Sequence, residues 1–406
     1  MSSRERKGGL AGAVVIFMSV AAALGTSTIY VLQPSVAEVA GSLGSQIADV
    51  GVALACGPVG YMLGLVVLVP LVDRYSPGRV LGVQFAILGT ALGVSAMVRG
   101  IAPLGALVAV TGACSVIGAG MSSIAGRLAL PHRRATALGI VTSGISAGIL
   151  SGRMVGGFLA DHFGWRGMLL MYACACAVFA ASCPIVLPDA SATTTGGFFT
   201  GIRSIPGLFA QHAALRLAAL RGASWFFAFC TVWAGLAVAL SKPPFSYSPE
   251  RIGFYGLAGL SGIAATQIAG RWTDRIGARQ VILTGLLLAM AAALMSAVAL
   301  HSMVVTLTCL AFFDAGLFAA QVANQSTVLA IDPIAPARFN SGYMVVYFIG
   351  GSLGTAFGAS AVGWFGWSAS ALIAVAAILI AAVLTLLNRP AHAIPAVPVA
   401  EHQEAR

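Results

Sequence analysis

Apolar runs of membrane-crossing length recur along the whole chain, and no other feature restricts its folding so strongly. They fall at 10–33, 47–71, 79–99, 103–126, 136–160 and 166–187, then at 222–241, 251–272, 279–299, 302–330, 340–363 and 367–387. About twenty apolar residues are needed to span the hydrocarbon core as a helix. In lipid every backbone polar group must be satisfied inside its own segment. The expected fold class is therefore an all-α integral membrane protein with twelve transmembrane helices. Composition agrees, since 59% of the 406 residues are hydrophobic and only 8% are charged. That is too little charge to coat a soluble domain of this size.

The remaining segments organise the chain. Residues 1–9 form a basic N-terminus, 10–187 a first six-helix bundle and 188–221 a central linker. A second bundle follows at 222–388, and then a tail at 389–406 rich in Pro, Ala and charge, which is expected to be mobile. The stretch from Phe198 to Arg221 is expected to lie along the membrane face. The first apolar run is too long for the core of a signal peptide and reads as a retained helix.

The formal net charge is +10, but the basic residues lie between the spans. They follow a membrane topology and do not form a nucleic-acid surface. With both termini cytoplasmic, that side collects Arg74, Arg79, Arg127, Arg133, Arg134, Arg216, Arg221, Arg271, Arg275 and Arg279, among others. The opposite side holds Arg99, Arg166, Lys242 and Arg251. The seven cysteines all fall inside apolar spans at irregular spacing and read as inert thiols.

An internal repeat divides the chain further. VPLVDRYSPGR between the second and third spans matches GRWTDRIGAR between the eighth and ninth. GFLADHFGWR between the fifth and sixth matches a faded GASAVGWFGW between the eleventh and twelfth, which aligns Asp161 with Gly363. Four three-helix units paired into two six-helix halves place a substrate site near the bilayer midplane, between the halves.

These residues carry a resemblance. The chain resembles the major facilitator superfamily, and within it the twelve-helix drug:proton antiporter branch. The loop motif G-x-x-x-D-R-x-G-R/K-R/K stands as Gly270, Asp274, Arg275, Gly277 and Arg279. A degraded copy surrounds Asp73, Arg74, Gly78 and Arg79, with Val69 in place of its first glycine. The fifth-helix antiporter motif stands as Gly139, Gly148, Gly152, Gly156 and Gly157, with Arg153 where the family has proline. A bacterial efflux subfamily with a Tyr-x-x-Gln-Pro first helix is similar at Tyr30, Gln33 and Pro34. The fourth-helix arginine that the family links to proton movement is replaced by Cys114.

Two charges stand deep inside spans. Arg153, in GIVTSGISAGILSGRMVGGFLAD, costs roughly 2.5–3.5 kcal/mol at a helix centre. Either it snorkels to the outer surface, or it faces the cavity and binds an anion, a carbonyl-rich substrate or a carboxylate partner. Asp314, in LAFFDAGLFAAQVANQ, lies roughly 18 Å down the tenth span, too deep for a short side chain to reach water. Such a carboxylate is expected to exchange a proton as water access changes. Gln321, Asn324 and Gln325 follow on the same helix, either as substrate contacts or as interhelical hydrogen-bonding groups.

Tyr30, Gln33, Gln84, Trp233, Tyr343 and Tyr347 are weaker candidates to line the cavity. The glycine seam of the fifth span allows close helix approach, and the resemblance implies that it seals and opens the interface between halves. The resemblance likewise implies that Asp73, Arg74, Arg79, Asp274, Arg275 and Arg279 act as a cytoplasmic gating latch.

No phosphate-binding loop of the GxxxxGK[ST] kind is present, so drive by ATP is not expected, and no nucleophile elbow or zinc motif stands out. The function expected is proton-coupled efflux of a small organic molecule by alternating access, with protons as coupling ion. The alternative is a facilitator or importer of a sugar, organic acid or amino acid without proton antiport. An enzyme is not expected, nor is a cofactor, a metal or nucleic acid. The setting expected is the cell membrane of a bacterium, with the protein working as a monomer.

Overall fold

The computed structural model describes residues 10–188, 205–332 and 336–387, and among them helices and turns but no strand. The expected mobile tail, the N-terminal nine residues and linker residues 189–204 lie outside the described residues. The helices, in order, are α1 Gly12–Ser27, α2 Val36–Leu43, α3 Ile47–Val67, α4 Val69–Arg74, α5 Pro77–Ser95, α6 Ile101–Cys114, α7 Ile117–Leu128 and α8 Arg134–Val186. After the linker come α9 Ile205–Gln211, α10 Ala213–Ser241, α11 Pro249–Phe254, α12 Gly259–Ile276, α13 Ala278–Ser296, α14 Met303–Leu329 and α15 Pro336–Leu387.

Twelve spans result because several helices are interrupted and two are bent. α8 turns at Gly164 (φ 70°) and α15 at Gly366 (φ 79°), so each supplies two spans. Positive φ is open to glycine at little steric cost. A tryptophan follows each bend and fastens it. Trp165 Nε1 donates to Ser42 Oγ at 2.8 Å, and Trp367 Nε1 donates to the Ser296 carbonyl at 2.7 Å. The equivalence read between GFLADHFGWR and GASAVGWFGW in the sequence thus recurs as one bend built twice. Glu38 accepts the Trp165 N–H at 3.1 Å, satisfying a donor that the bend frees.

The first span is α1 and α2 joined through the turn at residues 28–35, and the fourth is α6 and α7 joined at residues 115–116. The carbonyls freed at the second break are used. Cys114 O accepts from Gln84 Nε2 at 2.8 Å, and the Ser115 and Thr28 hydroxyls share a hydrogen bond at 2.7 Å. The eighth span contains a 3₁₀ segment, Tyr255–Ala258, between α11 and α12.

One expected boundary moves. The seventh span was expected from residue 222, with the linker reaching Arg221 along the membrane face. Instead α10 begins at Ala213 and runs unbroken, because AALRLAALR at 213–221 is built wholly of strong helix formers. Arg216 donates from Nη1 to the Ala210 carbonyl at 3.0 Å, holding the end of α9.

The fold is two pseudo-symmetric six-helix bundles. In the first, α1 packs on α8, α3 on α6, and α5 on α8. In the second, α10 packs on α15, α13 on α14, and α12 on α14. The bundles meet where α3 crosses α15 and where α8 crosses α11. Ser352 Oγ donates to the Ala55 carbonyl at 2.6 Å across the first crossing. At the second, Gly157 lies on the Pro249 carbonyl and Gly253 on the Arg153 carbonyl. These contacts lie at mid-height or towards the arginine-poor end of the bundles.

Candidate functional site

Between the bundles lies a cavity of about 250 Å³. Spans one, two and five form one wall, and spans seven, ten and eleven form the other. Tyr30 and Gln33 reach it because they stand three residues apart on the turn that interrupts the first span, where Gln33 N–H donates to the Tyr30 carbonyl at 3.1 Å. The fifth span lies close beside this turn. Gly152 rests on the Ser27 carbonyl and Gly156 on Val31, positions where any larger side chain would collide with backbone.

That approach delivers Arg153. Its side chain is buried, 3% exposed, and lines the cavity. Nε donates to Gln33 Oε1 at 3.0 Å. The guanidinium carbon lies 4.0 Å from the Trp233 ring centroid, 4.9 Å from that of Tyr30 and 5.9 Å from that of Phe229. A desolvated cation–π contact is worth about 2 kcal/mol or more. Several together offset much of the cost of burying the charge, which does not snorkel. Nη2 has no hydrogen-bond partner.

Asp314 is 1% exposed and lies next to the cavity, in a small side pocket that it shares with Arg153. The two do not form an ion pair. Trp233 stands between them instead: its indole N–H donates to Asp314 Oδ1 at 3.1 Å while its ring faces Arg153. The 3₁₀ segment of the eighth span and the first residue of α12 border the two charges. Gly256 is placed against the Arg153 side chain and Gly259 against Asp314 Oδ2. Irregular helices at the midplane are where such bundles build ligand sites.

The amides of the tenth span take separate places. Gln321 lines the cavity and accepts from the Tyr343 hydroxyl at 2.6 Å. Asn324 is buried and donates from Nδ2 to the Ala218 carbonyl at 3.0 Å and to the Tyr343 hydroxyl at 3.3 Å. Its Oδ1 accepts twice from Arg221, through Nε at 2.7 Å and through Nη2. Gln325 donates to Asn340 Oδ1 at 2.9 Å, away from the cavity lining. Tyr347 lines the cavity, while Tyr343 is buried behind it.

Arg221 is thus a correction. It is not a topology charge on the surface but a 2% exposed guanidinium inside the second bundle, because α10 starts two turns earlier than expected.

The fifth-span seam is also corrected. Gly144, Gly148, Gly152 and Gly156 pack the fifth span on the first, within one bundle. Four-residue spacing keeps them on one helix face. Gly157, on the adjacent face, is the motif glycine that meets the other bundle, and Gly139 has open space beside it.

The loop motifs differ from one another. Asp73 accepts from Ser123 Oγ at 2.7 Å and pairs with Arg127 Nε at 3.4 Å, both on the fourth span of its own bundle. Arg127 Nη2 also donates to the Val72 carbonyl at 3.1 Å. Asp274, Arg275 and Arg79 are exposed. Gly277 has φ 86° and turns α12 into α13, and Arg279 donates to the Leu386 carbonyl at 3.2 Å. Gly270 has open space beside it.

The sequence reading missed Tyr61, Trp225, Phe226, Phe229 and Thr26 in the cavity lining. The aromatic run WFFAFCTVW at 225–233 was the available signal, since a phenylalanine or tryptophan cluster of that density exceeds an interface belt.

Comparison with known proteins agrees with this geometry. The family model described as Major Facilitator Superfamily matches residues 15–249 and 224–405. "Uncharacterized transporter YgaY" of Escherichia coli O157:H7 is 30% identical over 375 residues, covering 91% of this chain and 95% of that protein. "Probable transporter SCO4007" of Streptomyces coelicolor is 28% identical over 393 residues, covering 96% and 90%. Among solved structures, the nucleoside transporter NupG superposes with a TM-score of 0.74 at 13% identity, over 92% of this chain and 99% of that one. A bacterial homologue of the human lysosomal transporter Spinster, in an inward-facing and unoccupied conformation, gives 0.73 at 16%, over 92% and 95%. This chain belongs to the Major Facilitator Superfamily and is a multi-pass membrane transporter.

Proposed function

We propose that the protein moves a small organic molecule across a bacterial cell membrane by alternating access, coupled to protons through Asp314. The bundles at 10–187 and 213–387 rock about the central cavity, with both termini cytoplasmic and one chain as the working unit. The observation that carries this reading is the Arg153–Trp233–Asp314 arrangement. One indole holds a buried carboxylate of the second bundle and covers a buried guanidinium of the first. Any rotation of one bundle against the other separates Arg153 from Trp233, so it changes the surroundings of Asp314. Proton occupancy and bundle orientation are thereby linked. The glycine pattern of the fifth span supports export in exchange for protons, and the loop arginines would close the cytoplasmic face.

A second reading has its own support. Among the described residues, Arg153 is the only formally charged one in the cavity lining. A solute anion there and a proton on Asp314 favour one another, which would carry both in the same direction.

Everted vesicles with an acid interior and a pH-sensitive dye test both readings. Exchange makes externally added solute collapse the gradient. Joint movement requires solute loaded inside. Asp314→Asn should abolish either response. Solute flux indifferent to the gradient and to Asp314→Asn would leave a facilitator.

A further inference from the structure

The polar groups left over in the cavity wall identify a class of ligand, on the premise that this cavity is the transport site. The amide oxygens of the wall are engaged: Gln33 Oε1 accepts from Arg153, and Gln321 Oε1 accepts from Tyr343. Among the described residues, the cavity-wall side chains that hold a buried polar atom without a hydrogen-bond partner are Arg153 at Nη2, Trp225 at Nε1 and Thr26 at Oγ1. All three belong to cavity-lining residues 1–4% exposed, and all three can donate. A wall with spare donors and one fixed positive charge suits a ligand that brings acceptors and a negative charge. The Asp314 carboxylate acts on Arg153 from the adjoining side pocket but is not part of this lining, so the charge that the cavity wall presents is positive.

The rest of the wall is flat and apolar. Phe226 and Tyr347 stack with centroids 4.0 Å apart at 9°, and Tyr61 faces Phe348 at 4.9 Å across the junction of the bundles. Rings of this kind recognise a planar aromatic face by offset stacking. A sugar would need paired donors and acceptors around its rim, whereas of the three partnerless groups only the Thr26 hydroxyl can also accept. An organic cation would meet the Arg153 charge, and the Tyr30 and Trp233 faces that could hold it are already covered by that guanidinium. About 250 Å³ admits one or two fused rings.

We propose that the central cavity binds a small aromatic monoanion, its acidic group taken by Arg153 and its rings laid against Phe226 and Tyr347.

The test is calorimetric binding to the purified full-length chain in nanodiscs, with four probes of nearly equal shape: 2-naphthoate, 2-naphthamide, 2-naphthylmethylamine and decahydro-2-naphthoate. The expected result is that 2-naphthoate binds about tenfold or more tightly than the amide and the saturated acid, in line with a charge-assisted contact, and that the amine does not bind. Arg153→Gln should bring acid and amide to parity. Arg153→Lys, which keeps the charge but loses the planar fork, should bind 2-naphthoate more weakly while still preferring it to the amide, and it serves if Arg153→Gln does not fold. Absence of 2-naphthoate binding, parity of acid and amide in the unaltered protein, or preference for the amine would overturn the proposal. Equal binding of the saturated acid would overturn its aromatic part. No gradient enters the measurement, so its failure leaves proton coupling standing, and failure of the vesicle assay leaves the binding result standing.

Discussion

In the first bundle, glycines at four-residue spacing in the fifth span press it onto the first span. In the second bundle, Gly350, Gly354 and Gly358 press the eleventh span onto Ala223, Phe227 and Thr231 of the seventh in the same manner. The bends at Gly164 and Gly366 match too, each with its tryptophan. Chemistry does not follow this symmetry. In the register that aligns Asp161 with Gly363, Arg153 falls opposite Thr355, which also lines the cavity. The first bundle contributes a cation, and the second contributes the carboxylate, most of the aromatic wall and the Arg221–Asn324–Tyr343 network. A duplicated scaffold thus keeps its helix seams, where backbone meets backbone and only small residues fit. Side chains in the space between bundles carry no such constraint and have diverged.

Substitutions can break this comparison at graded strength. Asp314→Asn should have the largest effect, eliminating proton-linked flux in vesicles while solute binding in nanodiscs survives. No equivalent loss is expected from Thr355→Val, which touches the cavity and the Cys230 thiol but no carboxylate.

Asn324→Ala comes next. It leaves the Arg221 guanidinium buried without its acceptor, at a cost of about 3 kcal/mol, so the melting midpoint in detergent should fall clearly. Asn324→Asp, which retains an acceptor, should recover most of it.

Gly148→Leu and Gly354→Leu should each cost about 2 kcal/mol through collision with a neighbouring backbone, and by similar amounts if the two seams are equivalent. Gly139→Leu, facing open space, should stay within about 0.5 kcal/mol. A tolerated Gly354→Leu would show that only the first seam is tight.

The smallest effect belongs to the loops. Asp73→Asn removes a partly exposed pair with Arg127 and should change stability by under about 1 kcal/mol. Asp274→Asn should change it less, since Asp274 makes no ion pair among the described residues. A larger effect of Asp274→Asn on flux than on stability would mean that its partner forms only in the alternate orientation.

The amino-acid sequence by itself determined the number of spans, the two-bundle repeat and the depth of Arg153 and Asp314. These depend on local pattern: length of apolar runs, glycine spacing and position along a helix are written in consecutive residues. It also singled out Gln33, Gln321 and Tyr347, polar or amphipathic residues inside apolar helices, where few benign reasons exist for them. Only the tertiary structure decided that Trp233 stands between the two charges, that the fifth-span glycines serve a seam inside one bundle, and that Arg221 is interior. Each of these depends on which face of a helix meets which neighbour, and residues 81 or 103 positions apart in the chain carry no local mark of having been brought into hydrogen-bond contact.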